Sequence, residues 1–211
     1  MKINEIFYTV QGEGLNMGRA ALFIRLPFCN LSCPWCDTQF DTFFEMPTVD
    51  LKKLLAECGC RFAVITGGEP SMNKDCPELI GLLKQAGFEI AMETNGQFPV
   101  PAGIDHLTVS PKRWMTKSGK PGAHEAFWFD PNNSPSEIKV VYDSEMSDSV
   151  LDSIYARYER NEFQFKDKNP RFYLSPEWNV RGSTAPKVVS YVQKNPAWRV
   201  SIQSHKVLEV R

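Results

Sequence analysis

Seven runs of strand length, each rich in Val, Ile, Phe or Tyr, recur along this 211-residue chain, with helical patterns between several of them. They span 20–26, 62–66, 88–93, 106–110, 137–142, 171–175 and 198–203. This alternation constrains the fold more than any other feature. Strands joined through helices pair in parallel, and the helices then cover the outside of the sheet. Chemistry in such folds collects in the loops that follow the strands. Thr48 is placed to cap a helix carrying Leu51, Leu54 and Leu55. Pro77 opens another with Leu79, Ile80, Leu82 and Leu83, and Gly87 is its stop signal. Segments 147–158 and 184–193 have the same period. Two connections do not. Residues 95–105 are too short and too rich in Pro and Gly for a good helix, and 112–136 lack helical period and have the makings of a lid or an interface. No repeat and no linker divides the chain, so a single domain over 1–211 is expected.

Composition removes several function classes. With 24 basic against 25 acidic side chains there is no broad basic field, which argues against direct nucleic-acid binding. No segment approaches the roughly 18 consecutive apolar residues of a membrane helix, and Met1 to Glu5 carry no apolar leader core. No membrane association and a cytoplasmic location are the expectations.

Six cysteines are the unusual count, and three of them, Cys29, Cys33 and Cys36, lie directly after the first of the seven strand runs. Thiolates are soft ligands for zinc or for iron–sulfur clusters. Structural zinc normally takes four protein ligands, and no fourth Cys or His stands at the usual spacing. Three cysteines on a four-iron cluster leave one iron open to bind a substrate or cofactor directly. Cys58, Cys60 and Cys76 lie outside the strand-end positions and read as non-ligands, and the Cys58-Gly59-Cys60 spacing is too tight for an ordinary disulfide loop. The alternative of a second cluster on these three stays open.

Cys-x3-Cys-x2-Cys is the signature of the radical S-adenosylmethionine enzymes, and further strand ends match that pattern: Thr66-Gly67-Gly68-Glu69-Pro70, Glu93-Thr94-Asn95-Gly96 and Ser110-Pro111-Lys112. Taken alone, each of the last two is ordinary turn chemistry. The N-terminal segment from Asn4 to Gly14, the run Ala21 to Leu26, Cys36-Asp37-Thr38 and the stretch Trp198 to Lys206 together resemble the 7-carboxy-7-deazaguanine synthase family. That resemblance implies a partial (βα)6 barrel with shortened or missing helices in the later units. It also implies a lyase that converts 6-carboxy-5,6,7,8-tetrahydropterin to 7-carboxy-7-deazaguanine with loss of ammonia, on the route to queuosine and related deazapurines. In that family a 5′-deoxyadenosyl radical takes hydrogen from carbon 6 of the pterin.

The same resemblance assigns residues. Cys29, Cys33 and Cys36 would hold a four-iron–four-sulfur (4Fe-4S) cluster, and Thr38 would ligate Mg²⁺, a hard ion suited to a hydroxyl. Gly68, Glu69, Ser110, Pro111 and Lys112 would form the S-adenosylmethionine pocket. Val10, Gln11, Gly12, Thr66 and His205 would contact the pterin, Arg25 its carboxylate, and Glu93 would stand near the reacting carbon. A homodimer and a flavodoxin- or ferredoxin-type electron donor are implied too. At Leu174-Ser175-Pro176-Glu177 the chain departs from the family pattern, which has glutamine before the proline, so a cofactor contact there is in doubt. Two rivals are a radical enzyme that activates a glycine in a partner protein, which has no need of Gln11 to Gly14 or Thr38, and a non-catalytic zinc or iron–sulfur module.

Overall fold

The computed structural model describes residues 1–113 and 127–211, so most of the segment 112–136, expected to be a lid or an interface, lies outside the described residues. In chain order the elements are β1 (Lys2–Ile3), β2 (Glu5–Val10), β3 (Ala20–Leu26), β4 (Phe44–Glu45), α1 (Thr48–Glu57), β5 (Phe62–Gly67), α2 (Cys76–Gln85), β6 (Glu89–Thr94), β7 (His106–Val109), β8 (Glu137–Tyr142), α3 (Asp148–Glu159), β9 (Phe172–Pro176), α4 (Arg181–Lys194), β10 (Trp198–Val200) and α5 (Ser204–Val207). The main sheet has the order β10-β9-β8-β7-β6-β5-β3-β2. Every neighbouring pair from β3 to β10 is parallel, and β2 closes one edge antiparallel to β3.

All seven expected strand runs thus form the parallel part of the sheet. It is one strand longer than a six-unit barrel, and its edges β2 and β10 do not pair with each other. No helix is assigned between β6 and β7, as the short Pro/Gly-rich connection requires. Three strands escape the sequence patterns. β2 pairs along its whole length with β3, from Glu5↔Arg25 to Val10↔Ala20, yet its own residues are half-buried or, at Tyr8, exposed, and so lack a clear apolar period. The ribbon of β1 and β4 has two residues on each side, too few to leave a pattern.

Period-2 alternation divides each strand between two environments. Ile24 and Leu26 of β3, Ala63 and Ile65 of β5, Ile90 and Met92 of β6, Leu107 and Val109 of β7, and Ile138 and Val140 of β8 are buried in one core with the helices. The helices present Leu51 and Leu55, Leu79 and Leu83, Leu151 and Ile154, and Val188 and Tyr191, at three- or four-residue spacing. Truncating any of these leucines to alanine is a cavity mutation of about 2–5 kcal/mol. The other face carries a small apolar cluster of Ala21, Phe23, Phe62, Val64 and Ala91. Farther along the same strands that face becomes polar.

Two helix starts differ from expectation. Thr48 is the first helical residue rather than the cap; extended Pro47 precedes it, and the Thr48 hydroxyl turns to Glu78 Oε1 at 3.3 Å. α4 begins at Arg181, three residues before the expected start, and runs through Pro186. Arg181-Gly182-Ser183 carry no apolar period to mark the first turn in the sequence, and the Ser183 and Thr184 hydroxyls both donate to the Val180 carbonyl there.

Candidate active site

Register places the polar residues of the concave face in one row. Arg25 pairs with Thr66, Glu93 with Thr108, and Thr108 with Glu137, while Thr66 and Glu93 each follow the registered pair Ile65↔Met92. A cation, two hydroxyls and two carboxylates therefore lie at one level across five strands. Lys139, two residues beyond Glu137 on β8, stands one layer nearer the strand ends.

The loop after β3 holds the cysteine triplet. It is closed by the Phe28 amide donating to the Phe40 carbonyl at 2.8 Å, with Phe28 at φ 71°. It packs so closely on the turn after β5 that a Cβ on Gly68 would sit 1.9 Å from the Phe28 carbonyl oxygen. Gly68 donates to the Leu26 carbonyl and Glu69 to that of Phe28, at 2.9 and 2.8 Å. Glycine is needed at 68 because two backbones meet there. Cys29, Cys33 and Cys36 are free thiols lining one cavity with Trp35, Gly68, Ser110 and Lys112. Burial pushes the Cys29 thiol up to about 12 and the Cys33 thiol to about 11, so binding a cationic cluster here is coupled to release of their protons. No three His, Cys, Asp or Glu side chains among the described residues are grouped to hold a single metal ion. Three thiols spread around one cavity fit a four-iron cluster, in which Cys29, Cys33 and Cys36 would each hold one iron and leave the fourth for a further ligand.

Glu69 is buried. Its Oε1 accepts from the Ser71 amide at 3.0 Å, the Ser71 hydroxyl at 2.5 Å and the Thr94 hydroxyl at 2.6 Å, and its Oε2 accepts from the Asn95 amide at 2.7 Å. Burial raises its carboxyl above the ordinary carboxylate range. Glu69 therefore ties the end of β5 to the end of β6 and keeps acceptor capacity on Oε2 for one further donor in the cavity. Asn95 continues the tie, donating to Asn30 Oδ1 of the cysteine loop at 2.9 Å. Lys112 Nζ bonds to the Ser110 hydroxyl and lies 5.0 Å from the centre of the Trp35 ring. Pro111, between them, is buried and is not among the residues that line the cavity.

A second pocket adjoins the first on the concave face, and Glu13, Asp37, Thr38, Thr66, Glu93 and Gln203 line both. Val10, Gln11, Gly12, Arg25 and His205 line it as well, with Phe7, Phe23 and Arg211. The Arg25 guanidinium lies 3.3 Å from the Thr38 hydroxyl and 3.6 Å from Glu5, and its buried Nε has no partner. His205 Nδ1 is likewise buried and unpartnered, and burial lowers the pKa of the ring, which keeps it neutral. His205 rests on Gly12, where a Cβ would lie 2.0 Å from its Nδ1. The C-terminal segment is pinned there by the Ser204 amide on the Gly12 carbonyl at 3.0 Å and by Gln203 on Glu13 at 2.8 Å. Gln11 joins the segment after β2 to the row of strand residues by donating to Glu93 Oε1 at 2.9 Å.

Apart from Pro111, every site residue expected from sequence lies on one of these two connected cavities. Lys139 was missed. Its buried ammonium lies 2.7 Å from Glu13 and 3.7 Å from Glu93. Burial opposes the charge, but the carboxylates of Glu13, Glu93 and Glu137 outweigh it and hold the Lys139 pKa above the ordinary lysine range. Burial would likewise raise Glu13, and the Lys139 ammonium holds it well below the carboxylate range instead. The available signal was the alternation Glu137-Ile138-Lys139-Val140, charges on every second position of an otherwise apolar strand.

The Radical SAM superfamily profile matches residues 23–113. The 7-carboxy-7-deazaguanine synthase of Bacteroides thetaiotaomicron is 34% identical over 210 residues, covering 100% of this chain and 98% of that protein. The synthase of the same name from Haemophilus influenzae is 32% identical, covering 99% and 93%. Among solved structures, QueE from Escherichia coli superposes with a TM-score of 0.71 at 26% identity, over 97% of this chain and 94% of that one. Streptococcus suis SuiB bound to its precursor peptide, at 15% identity and a TM-score of 0.53, shares the fold alone. Full-length identity above 30% to synthases of one name, over a chain that also carries the superfamily's three-thiol loop, makes this protein a member of the 7-carboxy-7-deazaguanine synthase family.

Proposed function

We propose that the chain is a radical S-adenosylmethionine lyase that converts 6-carboxy-5,6,7,8-tetrahydropterin to 7-carboxy-7-deazaguanine with loss of ammonia, in 7-deazapurine biosynthesis. The observation that carries this reading is the continuity of the two cavities, one lined by three thiols and the other by a cation and a set of polar groups suited to a flat heterocyclic acid. When bound, the cluster and S-adenosylmethionine supply the radical that removes a hydrogen atom. The chain's own groups decide where it acts. Cys29, Cys33 and Cys36 are the cluster ligands, and Glu69 Oε2, with Gly68, Ser110 and Lys112, is the S-adenosylmethionine subsite.

Arg25 pairs with the substrate carboxylate through the face that carries its unpartnered Nε. Val10, Gln11, Gly12, Thr66 and neutral His205 take the donor/acceptor edge of the pterin, and Glu93 faces the reacting carbon between the two cavities. Thr38, beside Arg25 and common to both cavities, is assigned to Mg²⁺, which keeps waters and reaches the substrate carboxylate. The chain acts as one domain and as a homodimer, in the cytoplasm, and takes its electron from a flavodoxin- or ferredoxin-type protein. Reduced, cluster-loaded enzyme given S-adenosylmethionine and the carboxypterin is expected to form a product with deazaguanine absorption. Cleavage of S-adenosylmethionine without that product would reject the substrate assignment and favour an activase.

A further inference from the structure

Two thiols that the reaction does not use lie at the other end of the sheet. Cys58 follows α1 and Cys60 precedes β5, whose far end carries Gly67 to Glu69, so a full strand separates the pair from the cavities described above. Their sulfurs are 3.7 Å apart. The Arg61 guanidinium fixes the turn by donating to the carbonyls of Cys58 at 2.6 Å and Cys60 at 2.8 Å, which holds both side chains on one side. Both cysteines are half-buried, Gly59 between them is exposed, and Cys58 and Gly59 line an open groove with Ile6, Tyr8 and Leu54. Cys76, the remaining thiol outside the cluster loop, is fully buried in the core, and among the described residues no group of three ligands for a metal ion forms around the pair.

We infer that Cys58 and Cys60 form a reversible dithiol–disulfide couple, a redox modification site separate from the cluster. The preorganised turn brings the sulfurs close enough that only a small adjustment is needed to bond them. Cys58 lines the open groove while Cys60 Sγ turns to the Phe62 carbonyl at 3.4 Å, so Cys58 is the thiol that an oxidant reaches first. The oxidant is a low-molecular-weight disulfide. The Cys58 thiolate attacks it, forming a mixed disulfide and expelling one thiolate; Cys60 then loses its proton, attacks the Cys58 sulfur and expels the second. Two protein thiols become one disulfide, and the small disulfide is reduced to two thiols. A loop with one intervening residue is too short for a relaxed bond, which makes the couple readily reducible rather than structural.

The test uses anaerobic, cluster-loaded, full-length protein equilibrated in mixtures of oxidised and reduced glutathione, then acid-quenched, alkylated with N-ethylmaleimide and digested. As the mixture becomes more oxidising, the peptide carrying both cysteines is expected to lose both alkyl groups and become two hydrogens lighter. Dithiothreitol is expected to restore it, with iron content and turnover unchanged. In Cys60→Ser, Cys58 is expected to retain glutathione as a trapped mixed disulfide, with turnover kept. Full alkylation of both cysteines at every ratio would overturn the inference, as would glutathione on both in the wild-type protein with no internal bond.

Discussion

Arg25 shows how far one residue can be read from sequence. Alternation with Ile24 and Leu26 places it on the face away from the helices, and period alone stops there. The fold adds that this face is concave, that Thr66 lies beside Arg25, and that its Nε is buried without a partner. Arg25→Ala is expected to raise KM for the carboxypterin and to lower kcat/KM by about 100-fold, the worth of a charge-assisted pair, while cluster content stays at the wild-type level; an unchanged KM would remove the carboxylate assignment. Lys139 is the opposite case, since no motif names it and only the fold gathers Glu13 and Glu93 around it. Lys139→Met leaves the half-buried Glu13 and Glu93 carboxylates without their counter-ion, a loss of about 3 kcal/mol near neutral pH. In the wild type, Glu13 is held low, so its stabilisation is complete above the ordinary 4.5 and fades as pH falls toward 2. Lys139 is held high, so its share is complete below the ordinary 10.5 and is lost only as pH rises beyond that. The deficit of the variant is therefore expected to shrink as pH falls and Glu13 protonates. Urea unfolding at several pH values checks this, and a deficit independent of pH would contradict it.

At the scale of elements, the seven parallel strands were legible because each is a short run rich in Val, Ile, Phe or Tyr that buries a face under the helices. β2 was not, because an edge strand with half-buried residues carries little apolar period. The strand-end motifs were legible as a family pattern, while the reason for their glycines was not. Gly68 is fixed by the backbone of the cysteine loop and Gly12 by the ring of His205. Their alanine variants should therefore fail differently. Gly68→Ala pushes the cysteine loop away, with an expected loss of about 3 kcal/mol and reduced iron per chain. Gly12→Ala meets a side chain that can swing aside, so iron content is expected to hold while KM for the pterin rises about 10-fold, the equivalent of one lost hydrogen bond. Measuring iron content and KM on both variants decides the matter; equal iron loss in the two would show that the glycines do not have separate tasks.

Over the whole molecule, the open sheet accounts for the site. Because β2 and β10 do not pair, the concave side is closed by irregular chain instead: the segment after β2 reaches across to Glu93 and Lys139, and the residues after β10 return to bond with Gly12 and Glu13. These contacts join residues up to 192 positions apart in sequence, which is why the pterin side of the site could be named by resemblance but not built from spacing. They also make the two chain ends a single wall of the pocket that opens onto the thiols. The most direct measurement is an anaerobic crystal structure of the cluster-loaded enzyme with S-adenosylmethionine and the carboxypterin. It is expected to show the substrate carboxylate on Arg25, its heterocyclic edge against Val10 to Gly12 and His205, and its reacting carbon toward Glu93 and the thiol-lined cavity. A pterin bound outside this pocket, or turned with its carboxylate away from Arg25, would contradict the account.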